Sequence, residues 1–286
     1  MIRTGTCSWK YDSWKGIIYP DKNNFNYLEE YSKHYKTVEV DQWFWSLFDV
    51  DKILLPKEED VISYTESVPD DFKFTIKIPN SITLTHFYGT SKEQPLKKNP
   101  YFFNLEIFNS FLSVLKPMKD KIGPLMFQFE YMNKDKISGL PEFLDRFEAF
   151  IGNINQDYQY GVEIRNPNFL RKSFFEFIQK NNLLLVLLEG YFMPPVKEIF
   201  KQFKDYIEDT VIIRLHGPDR AGMEKKTGKQ WNKIIAPKDD QLNDIAEIVH
   251  YFNKKQTDVY LNINNHYEGS APLTIRKIEK LIPGIK

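Results

Sequence analysis

Apolar and polar residues alternate in six runs along this chain: VEVD at 38–41, FTIK at 74–77, FQFE at 127–130, VEIR at 162–165, IRLH at 213–216 and LNIN at 261–264. Successive side chains of an extended chain point to opposite faces, so each run predicts a strand with one polar and one apolar face. Segments of helical period separate the runs, which calls for parallel pairing through helical crossovers. An open parallel sheet covered on both faces reads as continuous apolar runs, so the polar interruptions need a cause. A closed barrel supplies it: outward residues meet the helices, and inward residues near the mouth line a cavity. With IRTGTC at 2–7 and the apolar LLLVLL at 183–188 the strands number eight, which predicts a single-domain TIM-type α/β barrel over residues 1–286.

The intervening segments carry helix signals. Asn166 and Pro167 read as cap and first-turn residue of a helix with Leu170, Phe174, Phe177 and Ile178 on one face. Pro141 opens a segment with Phe143, Phe147, Phe150 and Ile151 at near-helical spacing. Asp239 or Asp240 reads as the cap of a stripe of Leu242, Ile245, Val249 and Phe252, and Ser270 as the cap of a last helix with Ile275, Ile278 and Ile282 buried. Residues 83–104 and 217–238 break the repeat and are candidate lids, since loops of that length are usually functional.

Composition narrows the function classes. At 286 residues and 42% hydrophobic content the chain can fill a barrel core. Lys plus Arg and Asp plus Glu are both 39, which argues against general attraction to nucleic acid or anionic membranes. The single cysteine, Cys7, excludes an internal disulfide and a zinc cluster built on several cysteines, and suits a reducing cytosol. The chain opens at Ile2 and Arg3 without an apolar leader, and no run reaches the roughly 20 apolar residues that span a bilayer, so a cytoplasmic protein is the expectation.

Several segments together resemble one family: Cys7-Ser8-Trp9 with Tyr11, Trp14, Gly16 and Tyr19-Pro20; Thr37-Val38-Glu39-Val40; Gly123-Pro124-Leu125 with Phe127-Gln128-Phe129; Val162-Glu163 with Arg165 and Pro167; Arg214-Leu215-His216-Gly217; and Asn264-Asn265 with Gly269 and Ala271-Pro272. They are similar, from end to end, to the YecE-like family, domain of unknown function 72. The resemblance implies a TIM barrel in a cytosolic bacterial or archaeal protein and brings no established reaction. Two departures concern the mouth: Asp41-Gln42-Trp43-Phe44-Trp45 follows the second strand, and Ser8 stands where the family commonly has glycine.

Barrel sites of this kind lie at the carboxyl ends of the strands, which predicts the mouth residues. Glu39, Glu163 and His216 are the candidates for moving a proton, because a shielded glutamate or a histidine titrates within reach of neutrality. Arg165, Arg214 and Lys77 are candidates for holding a carboxylate or phosphate. Asp41, Gln128, Asn264 and Asn265 complete the polar lining, with Asn264, Asn265, Gly269 and Ser270 placed where barrels often hold phosphate. An Asn pair closing a turn is the alternative. Trp9, Tyr11 and Trp14, joined by Trp43 and Trp45, offer flat surfaces for a sugar or base, against core filling as the alternative. Arg220, Lys225, Lys226 and Lys229 add positive charge in the long loop before the last strand.

These residues predict an enzyme, a hydrolase or isomerase, that acts on a small polar and anionic molecule such as a sugar, a nucleotide or their phosphate. A nucleotide or nucleic-acid binding module without chemistry is a second reading, and a metal-dependent nuclease-like barrel a third. No cofactor is predicted. A divalent metal such as magnesium or manganese on Glu39, Asp41, Glu163 and His216, with His86 and His266 in reserve, is the lesser alternative, since no close ligand-spacing motif supports it.

Overall fold

The computed structural model describes residues 1–50, 52–88 and 95–282. Eight strands close into a barrel: β1 (Ile2–Cys7), β2 (Thr37–Val40), β3 (Lys73–Lys77), β4 (Ile122–Gln128), β5 (Tyr160–Glu163), β6 (Leu184–Gly190), β7 (Thr210–Gly217) and β8 (Asp258–Ile263). Each is parallel to the next in chain order, and β1 pairs with both β2 and β8. This is the TIM-type α/β barrel the alternation predicts. No helix among the described residues is long and apolar enough to cross a membrane.

β7 shows how the alternation is used. Val211, Ile213 and Leu215 join the large apolar layer between strands and helices, whereas Ile212, Arg214 and His216 belong to the interior. At the amino-terminal end the interior is plugged by Met126, Val186, Ile212 and Tyr260. Gly161 on β5 makes room for that plug, because a Cβ there would lie 2.7 Å from Ile212 Cδ1 and 3.1 Å from Val186 Cγ2.

Most helix expectations hold at the level of the buried stripe. Leu140–Ile151 buries Phe143, Phe147, Phe150 and Ile151, Asp239–Lys254 buries Leu242, Ile245, Val249 and Phe252, and Ala271–Leu281 buries Ile275 and Ile278. The caps differ. Asp239 and Asp240 lie in the first turn behind Lys238, and Ser270 occupies the N-cap position without a side-chain bond. The helix expected after Asn166 is in two pieces, a 3₁₀ turn Pro167–Phe169 and an α-helix Lys172–Lys180. Asn166 does not cap it; its side chain accepts from Met132 N and donates to Met132 O, both at 2.8 Å, pinning the neighbouring loop instead.

Of the candidate lids, residues 217–238 contain a helix, Arg220–Thr227. Within 83–104, residues 89–94 lie outside the described residues; Asn99 ties the rest down by donating to Ser81 O and Leu84 O.

Candidate functional site

Four strands end earlier than their alternating runs. β2 stops at Val40, β4 at Gln128, β5 at Glu163 and β8 at Ile263, so Asp41, Glu130, Arg165 and Asn264 stand just beyond the ladder. The polar residues therefore divide into two layers by depth.

The deeper layer is a closed ionic network around Arg214, which is 1% exposed. Its Nε donates to Glu39 Oε2 at 2.8 Å and its Nη2 to Glu39 Oε1 at 2.6 Å. Its Nη1 donates to Glu163 Oε2 and, at 3.3 Å, to Gln128 Oε1. Arg165 Nε donates to the other Glu163 oxygen at 2.9 Å. Asn262 Nδ2 reaches Glu39 Oε2 at 3.2 Å and Thr75 Oγ1 at 2.9 Å. Burial pushes the Glu163 carboxyl up, but Arg214 and Arg165 outweigh it and hold the group below the usual carboxylate range. For Arg214 burial likewise opposes the charge, and Glu163 and Glu39 overcome it and raise the guanidinium further.

The shallower layer is less completely paired. Lys77 is buried, forms no salt bridge among the described residues, and rests its Nζ 3.9 Å from the centre of the Phe44 ring. Burial and then the Arg214 charge push its ammonium down to about 8. Asp41 is partly exposed at the end of β2, and desolvation pushes its carboxyl up against the pull of Lys77. His216 places Nε2 3.6 Å from Cys7 Sγ and Nδ1 3.3 Å from the Tyr191 hydroxyl. Burial, reinforced by Arg214, Arg165 and Lys77, depresses the imidazole far below its ordinary value and keeps it neutral. The Arg165 guanidinium lies 4.2 Å from the centre of the Tyr191 ring.

Beside Arg165 a cleft of about 510 Å³ is walled by Tyr88, Tyr131, Pro167, Tyr191 and Phe192, with Glu130 at its polar edge. Phe192 is 90% exposed, and both it and Tyr191 have positive φ, 63° and 51°, a strained backbone for bulky residues. Glu130 pairs with Lys136 at 2.6 Å, yet burial still raises its carboxyl.

The remaining sequence candidates fall outside this opening or serve packing. Trp14 has no exposed surface and packs on Tyr11 and Tyr19 at 4.7 and 6.0 Å, so it is core. Trp9 is 5% exposed against Tyr64, and Trp43 stacks on the same ring. Tyr11 remains near Asp41 and Cys7, and desolvation, with the Asp41 charge added, raises its hydroxyl. Trp45 is exposed and pairs with Tyr88 at 6.0 Å.

Asn264 and Asn265 close a turn. Asn264 Oδ1 accepts from His266 N and Asn265 Oδ1 from Ala271 N, both at 2.9 Å, which takes up the helix-start amide proposed for phosphate. Arg220 and Lys229 pair with Glu224 at 2.8 and 3.7 Å, and the Arg220 charge still reaches Tyr191. His86 bonds Thr85 and His266 meets Glu224, so neither joins the proposed hard-metal group; among the described residues Glu163 and Asp41 do not bring a ligand atom within 4.8 Å of those of both Glu39 and His216.

Tyr191, Phe44, Tyr88, Tyr131 and Phe192 were not foreseen at the site. Gly190-Tyr191-Phe192 follows the continuous run at 183–188, where alternation is absent, and the polar residue at the strand end, Glu189, accepts from Val196 N. That glycine before two aromatics was the available signal.

Comparison with known proteins agrees with this architecture. A model for a protein family of unknown function, DUF72, matches residues 3–284. The protein YecE (UPF0759) of Escherichia coli K12 is 26% identical over 172 residues, 60% of this chain and 51% of that protein. The chain thus aligns with about half the length of the curated relatives it matches. Crystal structures of DUF72 proteins from Enterococcus faecalis and Thermotoga maritima superpose with TM-scores of 0.66 each, at 20% and 18% identity, covering 99% and 98% of this chain and 95% and 98% of theirs. Matched over nearly its whole length by the family model, this chain belongs to the DUF72 family and shares its fold with the two solved members above.

Proposed function

We propose that the barrel mouth binds a small anionic molecule, a sugar phosphate or nucleotide, and moves a proton on it in a hydrolysis or isomerisation. Lys77 carries the reading. A buried ammonium that forms no salt bridge among the described residues is costly, and an anion from solution would offset that cost. Arg165, 20% exposed, adds a second cation at the same opening with Nη donors left over from its Nε bond to Glu163. The aromatic cleft beside it suits the flat face of a base or sugar ring.

Arg214, Glu39 and Glu163 are then the frame rather than the reacting groups. The guanidinium is already spent on carboxylates, and Glu163 is held ionised, which unsuits it for giving up a proton. Asp41 takes the proton-carrying role, because desolvation raises it toward neutrality beside Lys77. Neutral His216, oriented by Tyr191, is the second candidate.

The test is a thermal-shift and calorimetric panel of sugar phosphates, nucleotides and inorganic phosphate at low salt. A binder should raise the melting temperature of the protein, and Lys77→Met and Arg165→Ala should each weaken it at least about tenfold. Asp41→Asn should keep binding and lose turnover. If no member of the panel shifts the transition, or Lys77→Met binds as tightly as the native chain, the proposal fails.

A further inference from the structure

We propose that Cys7, Glu39 and His216 form a site for a zinc-class divalent transition metal, held by thiolate, carboxylate and imidazole with a fourth position left open. This goes beyond the anion-binding reading and does not require it.

The topology brings the three together. Cys7 ends β1 and is the register partner of Glu39 on β2, while His216 lies near the end of β7, and all three are buried. Their ligand atoms lie within 4.8 Å of one another. Cys7 Sγ and His216 Nε2 are 3.6 Å apart. A tetrahedral ion with a bond of about 2.3 Å to sulfur and about 2.0 Å to nitrogen needs an S···N edge of about 3.5 Å.

Each group retains the capacity to ligate. Glu39 Oε2 already accepts from Arg214 Nε and Asn262 Nδ2, but Oε1 accepts only from Arg214 Nη2 and keeps a lone pair. His216 has Tyr191 on Nδ1, which leaves Nε2 for an ion and supplies the outer hydrogen bond that metal-bound histidines usually have. The imidazole is held neutral, the form that ligates. Burial and the Glu39 charge raise the Cys7 thiol, which disfavours a free thiolate nucleophile; a bound cation reverses that balance and deprotonates the sulfur outright. The neighbouring Arg214 charge does not bar an ion, because Glu163 compensates it from the other side.

The donor set also selects the metal. Sulfur and imidazole favour zinc, cobalt or iron over the magnesium or manganese that an all-oxygen set would take.

Cobalt(II) is the probe. The full chain, stripped with chelator, is titrated with Co²⁺ and followed by absorption. One equivalent should bind with a thiolate-to-cobalt charge-transfer band, and Zn²⁺ should displace it. Cys7→Ser, nearly isosteric, should lose the band while circular dichroism is unchanged, and His216→Gln should weaken binding at least about tenfold. Arg165→Ala should leave the titration intact while weakening phosphate, which separates this proposal from the anion reading. Absence of saturable one-equivalent binding, or a band that persists in Cys7→Ser, overturns it.

Discussion

Arg214→Met tests whether the deep network is structural. The guanidinium is 1% exposed and Glu39 and Glu163 are 0% exposed, so the three charges depend on one another rather than on water. After the substitution Glu163 still has Arg165 at 2.9 Å, but Glu39 keeps only the Asn262 amide at 3.2 Å. The loss therefore falls on Glu39, left as a buried charge without a cation. Removing one partner of such a pair costs about 3–5 kcal/mol, a large share of the roughly 5–15 kcal/mol that holds a typical domain folded. Arg165→Met should cost less than about 2 kcal/mol, because Glu163 retains Arg214 and Arg165 is partly solvated. Urea unfolding at pH 7, followed in parallel by tryptophan fluorescence and circular dichroism, measures both. Arg214→Met combined with Glu39→Leu should recover at least half of the loss, since apolar replacement of a whole buried pair is often neutral. A cost under about 1 kcal/mol for Arg214→Met, or one equal to that of Arg165→Met, would refute the depth argument.

Glu163 is held below its ordinary range, so its contribution to stability is present above the unfolded value of about 4.3 and is lost as pH falls through the lower folded value. Glu163→Gln should accordingly flatten the acid limb of stability below about pH 4.5; an unaltered limb in urea titrations would contradict this. Lys77, pushed down to about 8, should lose its proton above that pH and with it affinity for phosphate. Lys77→Arg should bind the same anion with little change between pH 7 and 10, as read by calorimetry. Gly161→Ala should destabilise by about 1–3 kcal/mol through its clash with Ile212, with no effect on anion affinity at saturating fold.

The barrel was legible because β7 and β8 alternate. Ile212, Arg214 and His216 against Val211, Ile213 and Leu215 already separate axis from helix face, and Tyr260, Asn262 and Asn264 repeat the pattern. Alternation says which way a side chain points but not which neighbours meet it across the barrel. That the Arg214 fork is filled by Glu39 and Glu163 depends on the closure of strands far apart in sequence, and no local spacing encodes it. Trp14 and Tyr11 are three residues apart, equally aromatic and in contact at 4.7 Å across the 3₁₀ turn Asp12–Trp14, yet Trp14 is core and Tyr11 is partly exposed near Asp41, a difference in depth that spacing does not encode. The Asn166 misreading has the same origin: a cap signal was answered by a tertiary partner, the Met132 backbone.

Depth is what converts the same residue types into different chemistry. Two residues along a strand advance about 6.6 Å, so His216 stands one such step above Arg214 on β7. Below that step every charge has an opposite partner and no reason to take one from solution. Above it Lys77 forms no salt bridge among the described residues, Asp41 is raised, and His216 is kept neutral by burial, reinforced by Arg214, Arg165 and Lys77. The Arg214 charge thus adds to burial in setting the electrostatic state of Lys77 and His216. Breaking the Arg214 network should therefore alter anion affinity at Lys77 even though Arg214 is out of reach of the anion. With Arg214→Met a cation that repels the ammonium is gone, the Lys77 ammonium should titrate higher, and phosphate binding should persist to higher pH than in the native chain. A pH profile of binding that does not move in a folded Arg214→Met protein would show that the two layers act independently.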